Sequence, residues 1–512
     1  MYRFIRSRQL RRGLVCGLSC LLILCVSVFS ASPTKARVTL KVATEPAFPP
    51  FESQGKGGEL EGFDIDLMKA IGQAADFEVE FQSLPFDGII PALQSKTVDA
   101  AISAITINAE RSKTVSFSRP YFKAGLAIAI KANNKDITSL ESLKNKSIAV
   151  QIGTTGAAEA KKIPGAKIRT FDSAPLALQE LLNGNVDAVI NDAPVTLYAI
   201  KSNNLKGLKI IEQLLTEEYY GIPTAKASPN LDAINKGLTT ILGNGSYEQI
   251  YQKWFDAKPP QLPATVNFDN STNPIKASGV ILNALPNLLQ GALVTLELTA
   301  FSVLLGMIAG SLIGIARLSP LTPLRWVTRA YVDFFRGTPL LVQIFMIYFG
   351  LPALLQGVGI NFSLSRLVAA VMALSLNSAA YLAEIVRAGI QSIEIGQSEA
   401  AQSLGLGSVE TMRYVIFPQA LRRMLPPLGN EFITLLKDTS LVAVIGFEEL
   451  FRRGQLIVAD NYRTFEIYAA VALIYLALTL LSSRTFSFLE DWMNPINRSK
   501  KGNNPTDERV DP

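Results

Sequence analysis

Apolar and polar positions divide the chain into two unlike halves. Between residues 37 and 257 apolar residues come in short strand-like runs (VTLKVAT, EVEFQSL, DAAISAITI, LAIAIKA, SIAVQIG, DAVIND). These alternate with helix-period stretches such as FDIDLMKAIGQAA and APLALQELL, the pattern of an α/β domain. A weak echo links ALQSKTVDAAI at 92–102 with ELLNGNVDAVI at 180–190, each a helix end, a turn, Val-Asp-Ala and a strand. Two similar lobes with a cleft between them would produce it. Residues 258–290 turn Pro- and Asn-rich and read as a linker. From Gly291 onward the runs become membrane-like, with about five spans expected near 291–316, 338–356, 366–386, 428–446 and 467–484.

The first 36 residues read as an export signal, an arginine-rich start followed by an apolar run to Phe29; an uncleaved anchor is the alternative. Either way the domain after residue 36 is exported, and the chain enters its first span from outside. The basic loop with Arg317, Arg325, Arg329 and Arg336 falls inside on that count, as does the loop flanked by Arg387 and Arg422, and the tail after 491. Arg452, Arg453 and Arg463 fall on the outer side, against the trend.

Composition removes several functions. With 512 residues, two or three domains are expected. Net charge is +6, but Arg3, Arg6, Arg8, Arg11 and Arg12 supply five of those charges, so no nucleic-acid partner is indicated. The chain has no histidine, which excludes His-based acid–base catalysis and most zinc sites. Cys16, Cys20 and Cys25 all lie in the apolar leader, so no disulfide framework serves the rest. No G-x-x-x-x-G-K-[ST] occurs, so ATP cannot be bound through a P-loop. Neither metal nor cofactor nor catalytic constellation is expected.

EAAQSLGLGSVETMRYVIFP (399–418), between two apolar segments, resembles the EAA loop of ABC-importer permeases, with Val415 and Phe417 where that pattern has Ile and Leu. Ala400 and Ala401 leave room for close helix packing, and Gly405 permits a bend that a β-carbon resists. FFRGTPLLVQIF, NSAAYLAEIVRAGI, FPQALRRMLPPLGNEFITLLKDTSL and RTFEIYAAVALIYLALT extend the likeness to the amino-acid permease subfamily over about 285–490. The resemblance implies a separate ATPase subunit docked through Glu399, Ala400, Ala401 and Gly405, a second membrane domain (another copy or a paired permease), and an inner-membrane location. Glu384, Glu431, Lys437 and Asp438 are charged positions inside spans, and Glu384 with Arg387 also fits a surface ion pair.

KVATEPAFPPFE, GFDIDLMKAI, INAERSK, SIAVQIGTTGAAEA, DAVINDAP and NGSYEQIYQKWF resemble the polar-amino-acid family of periplasmic binding proteins over 37–257. The resemblance implies a bilobed α/β fold, with crossovers near 121–125 and 219–223, closing on one free amino acid. A zwitterion needs N–H donors with positive charge at one end and an anion with acceptors at the other. By resemblance Arg111 clamps the carboxylate, with Thr154 and Thr155. Asp192 takes the ammonium with Thr106 and the carbonyl of Ala104. Asp192 would also serve as a helix N-cap before Ala-Pro. Glu45, Phe48, Phe86 and Gln151 face the ligand side chain, the two rings forming a sandwich. In glutamine-binding relatives an aspartate stands at the position of Glu45 and a lysine at that of Gln151. An acid kept without its balancing lysine favours arginine, lysine or histidine over glutamine. The expected whole is a bilobed binding domain followed by an all-α polytopic membrane domain, acting as an ABC importer subunit without its own ATPase. A glutamine- or acidic-amino-acid importer and a ligand-gated channel of glutamate-receptor type are the alternatives; in that channel the pore interrupts the binding domain, whereas 37–257 runs unbroken.

Overall fold

The computed structural model describes residues 37–202, 205, 207–211, 214–266, 279–360 and 362–493. Residues 1–36, expected as the export signal and holding the three cysteines, residues 267–278 of the expected linker, and the expected tail from 494 lie outside these residues.

Two five-stranded sheets of the same plan form the first half. In one, Phe77–Ser83, Val38–Thr44, Ala100–Ala101, Pro223–Ala225 and Val115–Phe117 lie side by side; in the other, Lys167–Phe171, Ser147–Gln151, Ala188–Asp192, Leu126–Lys131 and Leu208–Ile210. In each sheet the first two pairings are parallel and the last two antiparallel. The sequence echo occupies matching places. Asp99 Oδ2 accepts from Lys41 N (2.9 Å) and Asp187 Oδ2 from Ser147 N (2.8 Å), so each Val-Asp-Ala carboxylate pins the register of its central strand. Interior strands such as Leu126–Lys131 are buried along nearly their whole length, as strands covered on both faces must be.

The chain passes between lobes along Phe122–Ala124 and Glu218–Tyr220, which pair antiparallel. Around them Phe51, Phe63, Phe122, Tyr220, Tyr251 and Phe255 pack edge-on and stacked, a stiff aromatic mass at the base of the hinge.

Among the described residues three helices are long and apolar enough to cross a membrane: Val280–Ala316, Arg366–Gln391 and Thr464–Met493. A fourth arises if Thr322–Gly337 and Leu340–Leu355, bent by 107° at Pro339, count as one span. Proline cannot continue the first helix, and Gln343 Nε2 donates to Phe335 O (2.8 Å) and Thr338 O (3.1 Å), satisfying carbonyls the break frees. The span expected near 428–446 is instead the helix Phe417–Asp438 and a 3₁₀ turn, Thr439–Ile445. Arg422, Arg423 and Glu431, with Lys437 and Asp438 at its end, make this helix too charged to count among the apolar ones. The first membrane helix starts at Val280, not 291. Its early turns carry Asn287 and Gln290, which hydropathy discounts; both side chains accept from Arg453 Nη1 (2.8 and 2.7 Å).

Between the 3₁₀ turn and the last span lies a short outer helix, Leu450–Asn461. It answers the anomaly of outer arginines. Arg452 pairs with Asp172 of the second lobe, Arg453 with the start of the first membrane helix, and Arg463 with Glu466 (3.4 Å). Their charge is spent on protein partners.

Candidate functional site

Arg111, expected to clamp the ligand carboxylate, is carried by a short helix at the cleft. Asn108 caps Ala109–Thr114, its Oδ1 accepting from Arg111 N (2.8 Å). Arg111 is 3% exposed. Its Nη1 donates to Thr106 O (2.9 Å) in its own lobe and Nη2 to Gly153 O (3.0 Å) across the cleft. Phe86 lies beneath the guanidinium, 5.3 Å from ring centroid to Cζ. Of the two rings expected to face the ligand side chain, Phe86 lies against Arg111, while Phe48 stacks on Phe51 at 6.3 Å within the first-lobe core.

The turn facing Arg111 is fixed by backbone geometry. Gly153 holds φ +73° and aims its carbonyl at the guanidinium. Thr154 caps the helix Thr155–Lys161, accepting from Ala157 N (3.2 Å) and donating to Gln151 O (2.8 Å). The first-turn N–H groups thus point at the cleft, where a carboxylate is favoured.

At the opposite end, Asp192 stands at the N-cap position of Ala193–Lys201 but makes no side-chain cap bond. It accepts from Tyr220 OH instead. Burial raises its carboxyl to about 7, with Glu218 adding to the rise and Tyr220 and Arg111 opposing it. Ala104 holds φ +47°, a conformation uncommon for a residue with a side chain, and is fixed there by donation of its N–H to Asp64 Oδ2 (2.8 Å).

One residue here escaped sequence reading. Glu218 Oε2 accepts from Thr106 Oγ1 (2.6 Å) in the first lobe and Thr155 Oγ1 (2.9 Å) in the second, so it joins both lobes beside Asp192. Strand alternation at the second crossover was the available signal. Glu218 and Tyr220 face inward together, whereas Glu217 is exposed and pairs with Lys123 (3.0 Å).

Glu45 and Gln151, expected at the ligand side-chain end, touch each other across the cleft. Gln151 Nε2 donates to Glu45 Oε1 and Oε2 (2.9 and 2.8 Å) and to Asp172 O (3.2 Å). Burial raises the Glu45 carboxyl from its ordinary 4.5 to about 8; Gln151 opposes the rise, and Asp87 and Asp172 add to it. Asp87 is raised too, by burial first and by Asp172 next. Glu45, Asp87 and Asp172 thus form a cluster of three acids at this end of the cleft, with Arg452 paired to Asp172.

In the membrane half Glu384 accepts from both Arg317 and Arg387, so it serves a local ion-pair network. Ala401 is buried, while Glu399 and Ala400 are exposed. Gly405 ends the helix Ile395–Ser403 at φ +85°, and Leu406 N donates to Ala401 O (3.1 Å). Around this elbow Ile395, Leu404 and Val409 stand exposed at 77%, 84% and 80%, an apolar surface suited to covering by another protein.

A family model for bacterial extracellular solute-binding proteins, family 3, matches residues 40–257. One for the binding-protein-dependent transport system inner membrane component matches 302–495. The chain is similar to the glutamine transport system permease protein GlnP of Escherichia coli (strain K12), 45% identical over 207 residues, covering 40% of this chain and 93% of that protein. It is also similar to a probable histidine-binding protein of Neisseria gonorrhoeae, 34% identical over 231 residues, covering 44% of this chain and 85% of that one. An ancestral arginine-binding protein bound to arginine matches at 47% identity, covering 43% of this chain and 99% of that structure, with a TM-score of 0.42.

Proposed function

We propose, from the premise that this chain belongs to the amino-acid ABC importers and carries their solute-binding and inner-membrane components in one polypeptide, that it imports basic amino acids. The carrying observation is the acidic end of the cleft. Glu45 is buried beside Asp87 and Asp172, and among the described residues its cross-cleft donor is Gln151. Among the described residues Arg452 pairs with Asp172 but no cation pairs with Glu45; a guanidinium or ammonium on the ligand would answer that acid, whereas a neutral amide would not.

In this reading the ligand carboxylate lies against Arg111 and the Thr154–Thr155 turn. Its ammonium lies against Asp192, with Thr106, Ala104 O and Glu218, and its side chain reaches Glu45. Gln151, Arg111 and Glu218 already bridge the lobes, so closing over a ligand exchanges or extends these bonds. The released amino acid enters the membrane half. Separate ATPase subunits press on the exposed elbow at Glu399, Ala400, Ala401 and Gly405, and a second membrane domain completes the path. Fusion keeps the receptor at an effective concentration set by its linker. Glutamine is the second reading, favoured by the likeness of the permease half to a glutamine-system permease.

Heats of binding of arginine, lysine, histidine, glutamine and glutamate to the full chain test the proposal. Arginine or lysine should bind most tightly; a glutamate preference, or glutamine alone, would refute it. Glu45→Gln is expected to weaken arginine by about a hundredfold while changing glutamine far less, since a desolvated charge pair contributes about 2–5 kcal/mol.

The raised Glu45 carboxyl fixes a pH signature. Without ligand it is mostly protonated at neutral pH, and a cation binds its ionised form, so arginine must expel a proton. Arginine affinity relative to glutamine should rise with pH up to about 8 and then level. Asp192 meets the ammonium of either ligand, so the ratio isolates Glu45. Calorimetry in buffers of different ionisation enthalpy should show more proton release for arginine than for glutamine, since Asp192 contributes to both and Glu45 to arginine alone. For the ligand-free fold the sign is opposite. The folded carboxyl titrates above its unfolded 4.5, so Glu45's contribution to stability falls as pH rises from there towards 8.

A further inference from the structure

Arg452 sits in the first turn of the outer helix, yet is 0% exposed. Glu449 caps that helix, its carboxylate accepting from Phe451 N (2.8 Å) and Arg452 N (2.7 Å), which fixes the direction in which the arginine leaves the backbone. The guanidinium crosses into the second lobe. Nη2 donates to Thr170 O (2.8 Å), and Nη1 pairs with the Asp172 carboxylate and with Gln455 Oε1 (3.1 Å). Asp172 O in turn accepts from the Gln151 nitrogen that holds Glu45. Only Asp172 and Gln151 therefore stand between a membrane-domain arginine and the acid that meets the ligand side chain.

The same helix lies over the cleft mouth. Ala459 Cβ is 3.8 Å from where a β-carbon on Gly153 would stand, Asp460 pairs with Lys161 of the second lobe (2.6 Å), and Tyr462 packs on the first-lobe group containing Phe86. The exposed Lys161–Asp460 pair adds only about 0–1 kcal/mol to this docking, whereas burying a guanidinium costs several kcal/mol unless acids repay it. The acids that repay it here belong to the cluster around the ligand side chain, and Arg452 holds down the Asp87 carboxyl as well.

We propose that Arg452 is a built-in competitor of the cationic substrate: when the binding domain docks, its guanidinium takes over Asp172 at the acidic end of the cleft, weakens the hold on a basic side chain, and so couples docking to release. By linkage, a bound cation loosens this docked arrangement by the same factor, which assigns it to the release stage of the cycle.

The inference rests on the basic-substrate reading, and the test separates the two. Affinities for arginine and glutamine are measured on the full chain in lipid nanodiscs for wild type, Arg452→Gln, Arg452→Lys and Asp460→Lys. Arg452→Gln should tighten arginine about tenfold, an ordinary size for coupling between two binding events, leave glutamine unchanged and slow arginine uptake. Arg452→Lys keeps the charge but not the fork, and should fall between wild type and Arg452→Gln. Asp460→Lys repels Lys161 and withdraws the helix, so it too should tighten arginine, although the added positive charge alone would weaken it. That variant leaves Arg452 and its partners intact, so it decides the matter if Arg452→Gln does not fold. Unchanged or weaker arginine binding, or equal tightening of both ligands, would overturn the competition while leaving the substrate reading standing. Glutamine binding without arginine binding in wild type would overturn both.

Discussion

Arg111→Ala is expected to abolish measurable binding of every amino acid, basic or neutral, and with it any ligand stimulation of ATP hydrolysis in the assembled importer. The α-carboxylate is common to all these ligands, so loss of its clamp cannot be selective. Arg111 is buried, backed by Phe86, and bonded to a carbonyl on each side of the cleft. Removing one member of a buried, hydrogen-bonded charge pair costs about 2–5 kcal/mol, or about thirtyfold to several thousandfold in affinity. Arg111→Lys should recover only part. An ammonium restores charge but lacks the fork that reaches Thr106 O and Gly153 O while leaving N–H groups for a carboxylate. Calorimetry on the full chain, with thermal unfolding to show that the fold persists, checks this. Loss confined to basic ligands would place the carboxylate elsewhere and undo the assignment of the cleft's two ends.

The reach of sequence reading is set by where each signal lives. The roles proposed for Arg111, Asp192 and the Gly153–Thr155 turn rest on short continuous stretches, whose order and spacing a sequence displays directly. The Val-Asp-Ala echo was legible for the same reason, and it marks the central strand of each sheet. Glu218 was not legible, because its role depends on Thr106 and Thr155, far away in sequence and on different lobes. Glu217 beside it looks identical in composition. Phe86 was placed in the cleft, but sequence could not show that its face would be taken by Arg111. Hydropathy found the apolar centres of the membrane helices yet missed the start at Val280, since Asn287 and Gln290 are polar and meet an arginine. The outer arginines looked like a breach of charge asymmetry only while their partner in the binding domain was invisible.

Another signal stood in plain view: GMIAGSLIG, three glycines four residues apart inside the first membrane helix. Gly306, Gly310 and Gly314 lie against Ser378, Ala379, Leu382, Ala383 and Val386 of Arg366–Gln391, and among the described residues these two helices form the most extensive pairing in the membrane half. A β-carbon at Gly310 would fall 2.8 Å from both Ala379 O and Leu382 Cβ, and one at Gly314 would fall 2.7 Å from Ala383 O. Backbone atoms cannot step aside as a flexible side chain can. In lipid no hydrophobic force draws helices together, so close backbone approach is a main source of their attraction. Gly310→Leu is therefore expected to separate the pair and abolish uptake. Gly310→Ala should lower the unfolding temperature in detergent with partial activity, since overpacking a tight contact costs about 1–3 kcal/mol. Leu304→Ala, on the same helix but 56% exposed, should be close to neutral. Every residue assigned to hold the ligand belongs to the first half, so the Gly310→Leu chain should still bind arginine while failing to transport it. Normal uptake by Gly310→Leu would mean that the two helices do not meet along this stripe in the working transporter.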